Sequence, residues 1–347
     1  MTLFLLAGFI LIALGSFSAG SFAVPFGKIK HWKWESYWLV FSIGAYLLFP
    51  LIACSVLSPD WFLVLHKTPA EVLLLVFVLG SVYGVGNLSF GLSIRYLGIS
   101  LGYSLSLGLM LAIGTLVPPM LDGRLSEMLQ GEAGILLIAG VIFACLGIAL
   151  TGWAGFIKSE SVSVKSGDNQ KQEFQFTKGT LAALLVGITG SAMSLGFEKG
   201  VPISEIAEKN GTSPLFAMMP ILIVLLAGTF ATTLIWCFLL GLRNKSLTDY
   251  ISSSHSVNLS HNYLYALLAG LLWFAQFITY SMGKSMIGSF SFISWGILMA
   301  LTIVTATLWG VYRKEWKGAS RKIYYLMIAS LLLIILSSFV IGISGSI

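Results

Sequence analysis

The sequence predicts an all-α integral membrane protein of about ten transmembrane helices in two inverted five-helix repeats, and three observations carry that expectation. Hydrophobic residues make up 57% of the chain and charged residues 10%, at a mean hydropathy of +0.91. Few soluble cores could absorb that much apolar surface. The apolar residues gather into ten runs, most of them close to the ~20 residues that cross a hydrocarbon core of ~30 Å as helix. The twenty Lys and Arg residues then sort by loop, fifteen into the odd-numbered loops and five into the even ones.

The first run, residues 3–24, has no Lys or Arg before it, while Lys28, Lys30 and Lys33 follow. A secretion signal has the opposite order, with its cations first and a small-residue cleavage site behind, so this run is expected to be a span. Residues 37–57 form the second span. The third, 72–92, contains Tyr83, Asn87 and Ser89. A short loop with Arg95 leads to the fourth, 98–117, and the fifth covers 134–156. Residues 158–178 are rich in Ser, Lys and Gln and poor in apolar side chains, which reads as a linker. The second set runs 180–197, 214–239, 262–281, 287–311 and 323–343, with Glu198 and Lys199 ending the first of these.

Residues 1–157 and 179–347 are therefore expected to be two five-helix repeats, on either side of a 158–178 linker. An odd number of spans inverts the second half relative to the first, a recurrent plan in transporters whose substrate sits near the midplane. The chain echoes itself in support. An offset of 190 pairs Tyr83 with Trp273, Ser89 with Thr279, Phe90 with Tyr280, Gly98 with Gly288 and Ser104 with Ser294. An offset of 175 pairs Gly15-Ser16 with Gly190-Ser191, and Phe22 with Phe197.

Positive charge stays cytoplasmic during insertion, so the odd loops are expected inside and both termini outside. The net charge of +6 and pI near 9.1 follow from that sorting. No basic stripe points to nucleic acid. Cys54, Cys145 and Cys237 lie singly in separate runs and suggest neither a disulfide frame nor a metal site. Gly283-Lys284-Ser285 resembles the end of a phosphate loop, but the earlier glycine it needs would stand at 278, which is Ile278. A membrane hydrolase or transferase would need His, Asp or Glu gathered beside the bilayer. The pattern points away from an enzyme, and it implies no organic cofactor.

None of the acidic residues lies at the centre of a run, where a charge costs at least ~2.5–3.5 kcal/mol. Glu198 comes nearest. It reads either as an interfacial charge beside Lys199 or as a protonatable coupling group at the mouth of a cavity. Neutral polar and aromatic residues fill the interior instead. Trp273, Gln276 and Tyr280, spaced by three and four, share one helix face. Interhelical hydrogen bonding would explain any one of them. Together with Tyr83 and Asn87 they suit a neutral polyol, because amides donate and accept at once and aromatic rings offer a flat apolar face with a polar edge. Gly80/Gly84, Gly98/Gly102 and Gly187/Ser191 have the small-xxx-small spacing of close helix seams.

Several stretches resemble the bacterial L-rhamnose–proton symporter family of the drug/metabolite transporter superfamily. They are VPFGKIKHWKWESYW after the first span, LSIRYLGISLG before the fourth, LWFAQF in the eighth, and ISW followed by RKEWKG around the ninth. Pro25, Lys28, Trp32, Trp34, Glu35 and Arg95-Tyr96-Leu97-Gly98 fall in the family's order, and the resemblance runs over essentially the whole chain. It implies ten helices, inverted repeats and uptake of a deoxy sugar driven by protons across the inner (cytoplasmic) membrane. It also implies a carboxylate in the motif Phe290–Trp295, where this chain has Ser291. In physical terms Trp32 and Trp34 are expected at headgroup depth, and Arg95 is expected to neutralise helix ends.

The expected partners are thus the lipid bilayer, a small neutral sugar and protons, with sodium or no coupling ion as the alternatives. Tyr83, Asn87, Trp273, Gln276, Tyr280 and Trp295 are the candidate sugar-binding residues, and Glu198 the candidate coupling group. Alternating access would rock one half against the other. A carrier or exporter of another metabolite on the same fold, and a membrane sugar sensor that moves nothing, are the alternatives, since fold does not fix substrate.

Overall fold

Helix accounts for every long regular element in the computed structural model, which describes residues 2–121, 123, 131–165, 175–251, 258–287 and 294–344. That is the expected solution in hydrocarbon, where each backbone N–H and C=O must find its partner within its own segment. In chain order the helices are α1 (Thr2–Ser21), α2 (Trp34–Ser42), a π-helical turn (Ile43–Leu48), α3 (Phe49–Leu57), α4 (Trp61–Lys67), α5 (Ala70–Leu97), α6 (Ile99–Leu121) and α7 (Gly131–Lys165). Then come α8 (Phe176–Lys199), α9 (Val201–Lys209), α10 (Met219–Asn244), α11 (Leu259–Met286), α12 (Ser294–Tyr312) and α13 (Arg321–Ser344). Among the described residues nine helical segments are long and apolar enough to cross a membrane, and Ile99–Ile113 within α6 is a shorter apolar stretch at the place of the fourth expected span. The chain is an all-α, multi-pass membrane protein.

Both ends of the linker differ from expectation, α8 beginning at Phe176. The fifth span was expected to give way to a linker at residue 158, but α7 continues to Lys165. The segment SESVSVK is polar without containing Gly or Pro, so nothing in it breaks a helix once the chain leaves the hydrocarbon. Residues 166–174 of that linker lie outside the described residues, as do Ser291 and the rest of 288–293.

The helices gather into two compact units. One comprises Met1–Gly20, Gly86–Ser191 and Met286–Ile347, the other Ser21–Val85 and Ala192–Ser285. In the first unit α7 packs along α13, and α6 packs against α7 and α12. Its core joins Leu97, Leu101 and Leu105 to Ala154, Ala183, Trp316, Ile323 and Met327. In the second unit α10 packs against α2, the π-turn and α3, while α9 packs against α10 and α4.

The glycine seam at Gly80/Gly84 lies in this second unit. A Cβ on Gly80 would stand 1.9 Å from the Leu225 carbonyl oxygen, and one on Gly228 would stand 2.0 Å from the Phe77 oxygen. The N-terminal part of α5 and α10 therefore touch backbone to backbone. Thr229 Oγ1 donates to the Gly80 oxygen at 3.0 Å and Thr232 Oγ1 to the Ser81 oxygen at 2.9 Å, so hydroxyls lace the seam that the glycines open.

Candidate functional site

Trp273, Gln276 and Tyr280 fall on one buried face of α11, at 3%, 7% and 4% exposure. The spacing of three and four does this directly, since it returns side chains to the same side of a helix. Trp273 sits in an aromatic box. Tyr46 meets it edge-on with centroids 5.0 Å apart, Phe277 lies at 5.1 Å, and Phe41 at 6.4 Å. Phe277 in turn approaches Phe197 of α8 at 6.3 Å. Gln276 donates from Nε2 to the Trp273 carbonyl at 2.7 Å, a bond within its own helix that fixes the direction of the carboxamide. Thr279 likewise turns its hydroxyl back to the carbonyls of Ala275 and Gln276.

The remaining candidates divide between the units. Tyr83, half-buried on the N-terminal part of α5, belongs to the unit that holds the α11 face, and so does Glu198. Asn87, buried at 2% exposure four residues after Tyr83, and the half-buried Trp295 at the start of α12 belong to the other. Glu198 is exposed near the end of α8. Among the described residues no three His, Cys, Asp or Glu side chains gather as metal ligands would. Within its unit the α11 face offers an indole, a carboxamide and phenols, groups that stack on a sugar ring and bond its hydroxyls without fixed charge.

The comparisons cover the same length as the fold. The family described as L-rhamnose-proton symport protein (RhaT) matches residues 1–346. The chain belongs to that family. An L-rhamnose-proton symporter of Klebsiella pneumoniae (strain 342) is 32% identical over 332 residues, covering 95% of each chain. One of Cronobacter sakazakii (strain ATCC BAA-894) is 31% identical over 95% of this chain and 94% of its own. One of Yersinia pestis (strain Pestoides F) is 31% identical over 341 residues, 97% of each. The family is one of transporters and not of enzymes.

The stretches that carry the family likeness prove to be clamps. Gly98 has φ +85°, a left-handed conformation that glycine adopts freely. The turn it makes exposes the first amides of α6 to Glu315 of the RKEWKG stretch. Glu315 accepts from Ile99 N at 3.0 Å through Oε1 and from Ser100 N at 3.1 Å through Oε2. A Cβ on Gly98 would lie 3.0 Å from Oε2, so the glycine also makes room for the carboxylate. LSIRYLGISLG and RKEWKG are thus two sides of one helix cap, satisfying amides that every helix start leaves open. Arg95 stands in the last turn of α5, 5.9 Å over the ring of its neighbour Tyr96, while the start of α6 is capped by Glu315. Glu315→Ala is expected to lower stability by about 1–2 kcal/mol, the usual worth of a charged cap. Thermal unfolding of the purified protein in detergent measures it, and a melting temperature equal to wild type would count against the clamp.

The WKWES stretch forms the second clamp. Among the described residues Glu35 is the one acidic or basic side chain that is fully buried, at 3% exposure. Its Oε1 accepts at 2.8 Å from Nδ2 of Asn244, the last residue of α10, and at 2.7 Å from Oγ of Ser246 just beyond it. Asp249 accepts from Lys33 N and Ser36 Oγ, and the Asn262 carboxamide exchanges two bonds with the backbone of Lys30. Burial raises the Tyr250 phenol above its ordinary range and keeps it neutral beside Asp249. Trp32 and Trp34 were expected at headgroup depth. Within the unit both are buried, Trp32 edge-on to Tyr263 at 4.9 Å and Trp34 stacked on Trp38 at 5.1 Å. Trp32 belongs to a small core with Val40 and Ala266.

Proposed function

We propose that this chain imports L-rhamnose, or a monosaccharide close to it, together with protons by alternating access. The observation that carries the reading is full-length kinship: relatives named L-rhamnose-proton symporter align over at least 94% of both chains at 31–32% identity. The neutral, aromatic and amide-bearing face of α11 supports a sugar over a charged metabolite. In this reading Asn87 and Gln276 bond sugar hydroxyls, Tyr83, Trp273, Tyr280 and Trp295 line or stack on the ring, and Glu198 is the coupling candidate. In this reading the protein lies in the cytoplasmic membrane, and the charge sorting supports both termini outside.

The repeat division at 1–157 and 179–347 belongs to the same proposal. The interleaving of the compact units supports it, because each unit takes segments from both halves. Shifted by the offsets of 175 at its start and 190 at its end, segment 21–85 would fall on 196–275, close to the 192–285 segment of the same unit. Segments that the offsets pair thus share a unit, which fits an inverted-repeat plan.

Counterflow into proteoliposomes tests the function. Purified protein is reconstituted, offered a panel of labelled sugars, and given a pH gradient. Rhamnose exchange that a proton gradient accelerates is the expected result. Exchange of other sugars without rhamnose removes the substrate, and rhamnose flux indifferent to the gradient removes the proton. Binding with no flux would leave a sensor.

A further inference from the structure

The second membrane-crossing segment, Trp34–Leu57, is interrupted at its middle by the π-helical turn Ile43–Leu48. Its cause is in the sequence. Pro50 has no N–H, and in an unbroken α-helix its ring would clash with the carbonyl four residues back, that of Tyr46. The turn widens instead, and the amide of Phe49 reaches five residues back to Gly44. Wide turns of this kind recur where a helix must aim a side chain for function.

This turn aims Tyr46. Helix α11 comes against it at Gly270, where a Cβ would lie 2.9 Å from both the Ala45 nitrogen and the Phe41 oxygen. One turn further along α11, Tyr46 meets Trp273 at 5.0 Å and an interplanar angle of 78°. Tyr46 is 1% exposed, so it has little freedom to rotate away. Tyr46 therefore bears directly on Trp273, a residue that the proposed site uses. We propose that Tyr46, set by the π-turn, is a positioning residue that fixes the Trp273 indole and so governs sugar affinity. The inference rests on the sugar-transport reading given above.

Counterflow kinetics test it with four variants in proteoliposomes, each checked for folded yield and melting temperature. Tyr46→Phe keeps the ring and should leave KM within twofold of wild type. Tyr46→Leu removes the edge-on contact and should raise KM at least threefold, with the maximal rate per folded protein within twofold. Phe26→Leu is the control, because Phe26 packs among Tyr37, Trp38 and Phe41 of the same unit. It should leave KM within twofold. Pro50→Ala keeps every ring and removes the cause of the wide turn, and it should also raise KM at least threefold; it decides the matter if Tyr46→Leu does not fold. A KM change below threefold in the deciding variant overturns the proposal. So does an equal rise in Phe26→Leu, or a loss in Tyr46→Phe as large as in Tyr46→Leu. If wild type exchanges another sugar but not rhamnose, the substrate reading falls while the variants are judged on that sugar. Exchange of no sugar by wild type overturns both.

Discussion

Trp273→Ala is expected to abolish sugar exchange and to destabilise the protein by about 3–5 kcal/mol, the usual cost of emptying a buried indole site. The residue is 3% exposed and is held by Tyr46, Phe277 and Phe41 around its ring. Each well-oriented aromatic contact is worth about 0.5–1.5 kcal/mol beyond the area it buries, so truncation removes packing and recognition together. Trp273→Phe separates them. A phenyl ring still fills much of the box, and the folded yield should stay near wild type. The smaller face offers a sugar less contact, and KM should rise about tenfold, equivalent to ~1.4 kcal/mol of binding. Counterflow measured per folded molecule reads the two effects apart. Exchange by Trp273→Phe with unchanged KM would take the indole out of the sugar site and leave it a packing role.

The reason Trp273 was legible in the sequence, and Tyr46 was not, lies in the range of the signals. Trp273, Gln276 and Tyr280 announce themselves through a spacing of three and four that any helix converts into one face. Tyr46 shows no such pattern in a run as apolar as FSIGAYLLFP; the one local clue is Pro50, whose missing N–H widens the turn. The fold class was legible for a related reason, because the bilayer imposes span length and charge sorting on every segment separately. The two clamps depend instead on residues far apart in the chain. Glu315 caps an amide 216 residues away, and Glu35 accepts from residues 209 and 211 positions on. Their motifs could be recognised as family marks without revealing that RYLG and RKEWKG are a single contact. The inward packing of Trp32 and Trp34 was not legible either. Lysines at 28, 30 and 33 supply the pattern of an interface, and only packing against Tyr263 and Trp38 shows that the rings point inward.

Gly228→Val is expected to cost at least about 3 kcal/mol, with a corresponding loss of folded protein. Its Cβ alone would stand 2.0 Å from the Phe77 carbonyl oxygen, and Gly80 faces the same problem at 1.9 Å from the Leu225 oxygen. Neither obstacle is the end of a flexible side chain, so relief requires the two helix backbones to part. Overpacking of a rigid site typically costs about 1–3 kcal/mol, and more when backbone must move. Parting the helices also stretches the bonds from Thr229 to Gly80 and from Thr232 to Ser81, each worth roughly 0.6 kcal/mol in a membrane. Gly152→Ala is the matched control, since the nearest heavy atom to its new Cβ is Leu105 Cδ2 at 4.0 Å. Fluorescence-detected size exclusion with a thermal ramp compares them. Equal melting temperatures for Gly228→Val and Gly152→Ala would mean that α5 and α10 do not meet backbone to backbone. A selective fall in Gly228→Val, with transport lost only in proportion to folded protein, would assign the glycines to close packing.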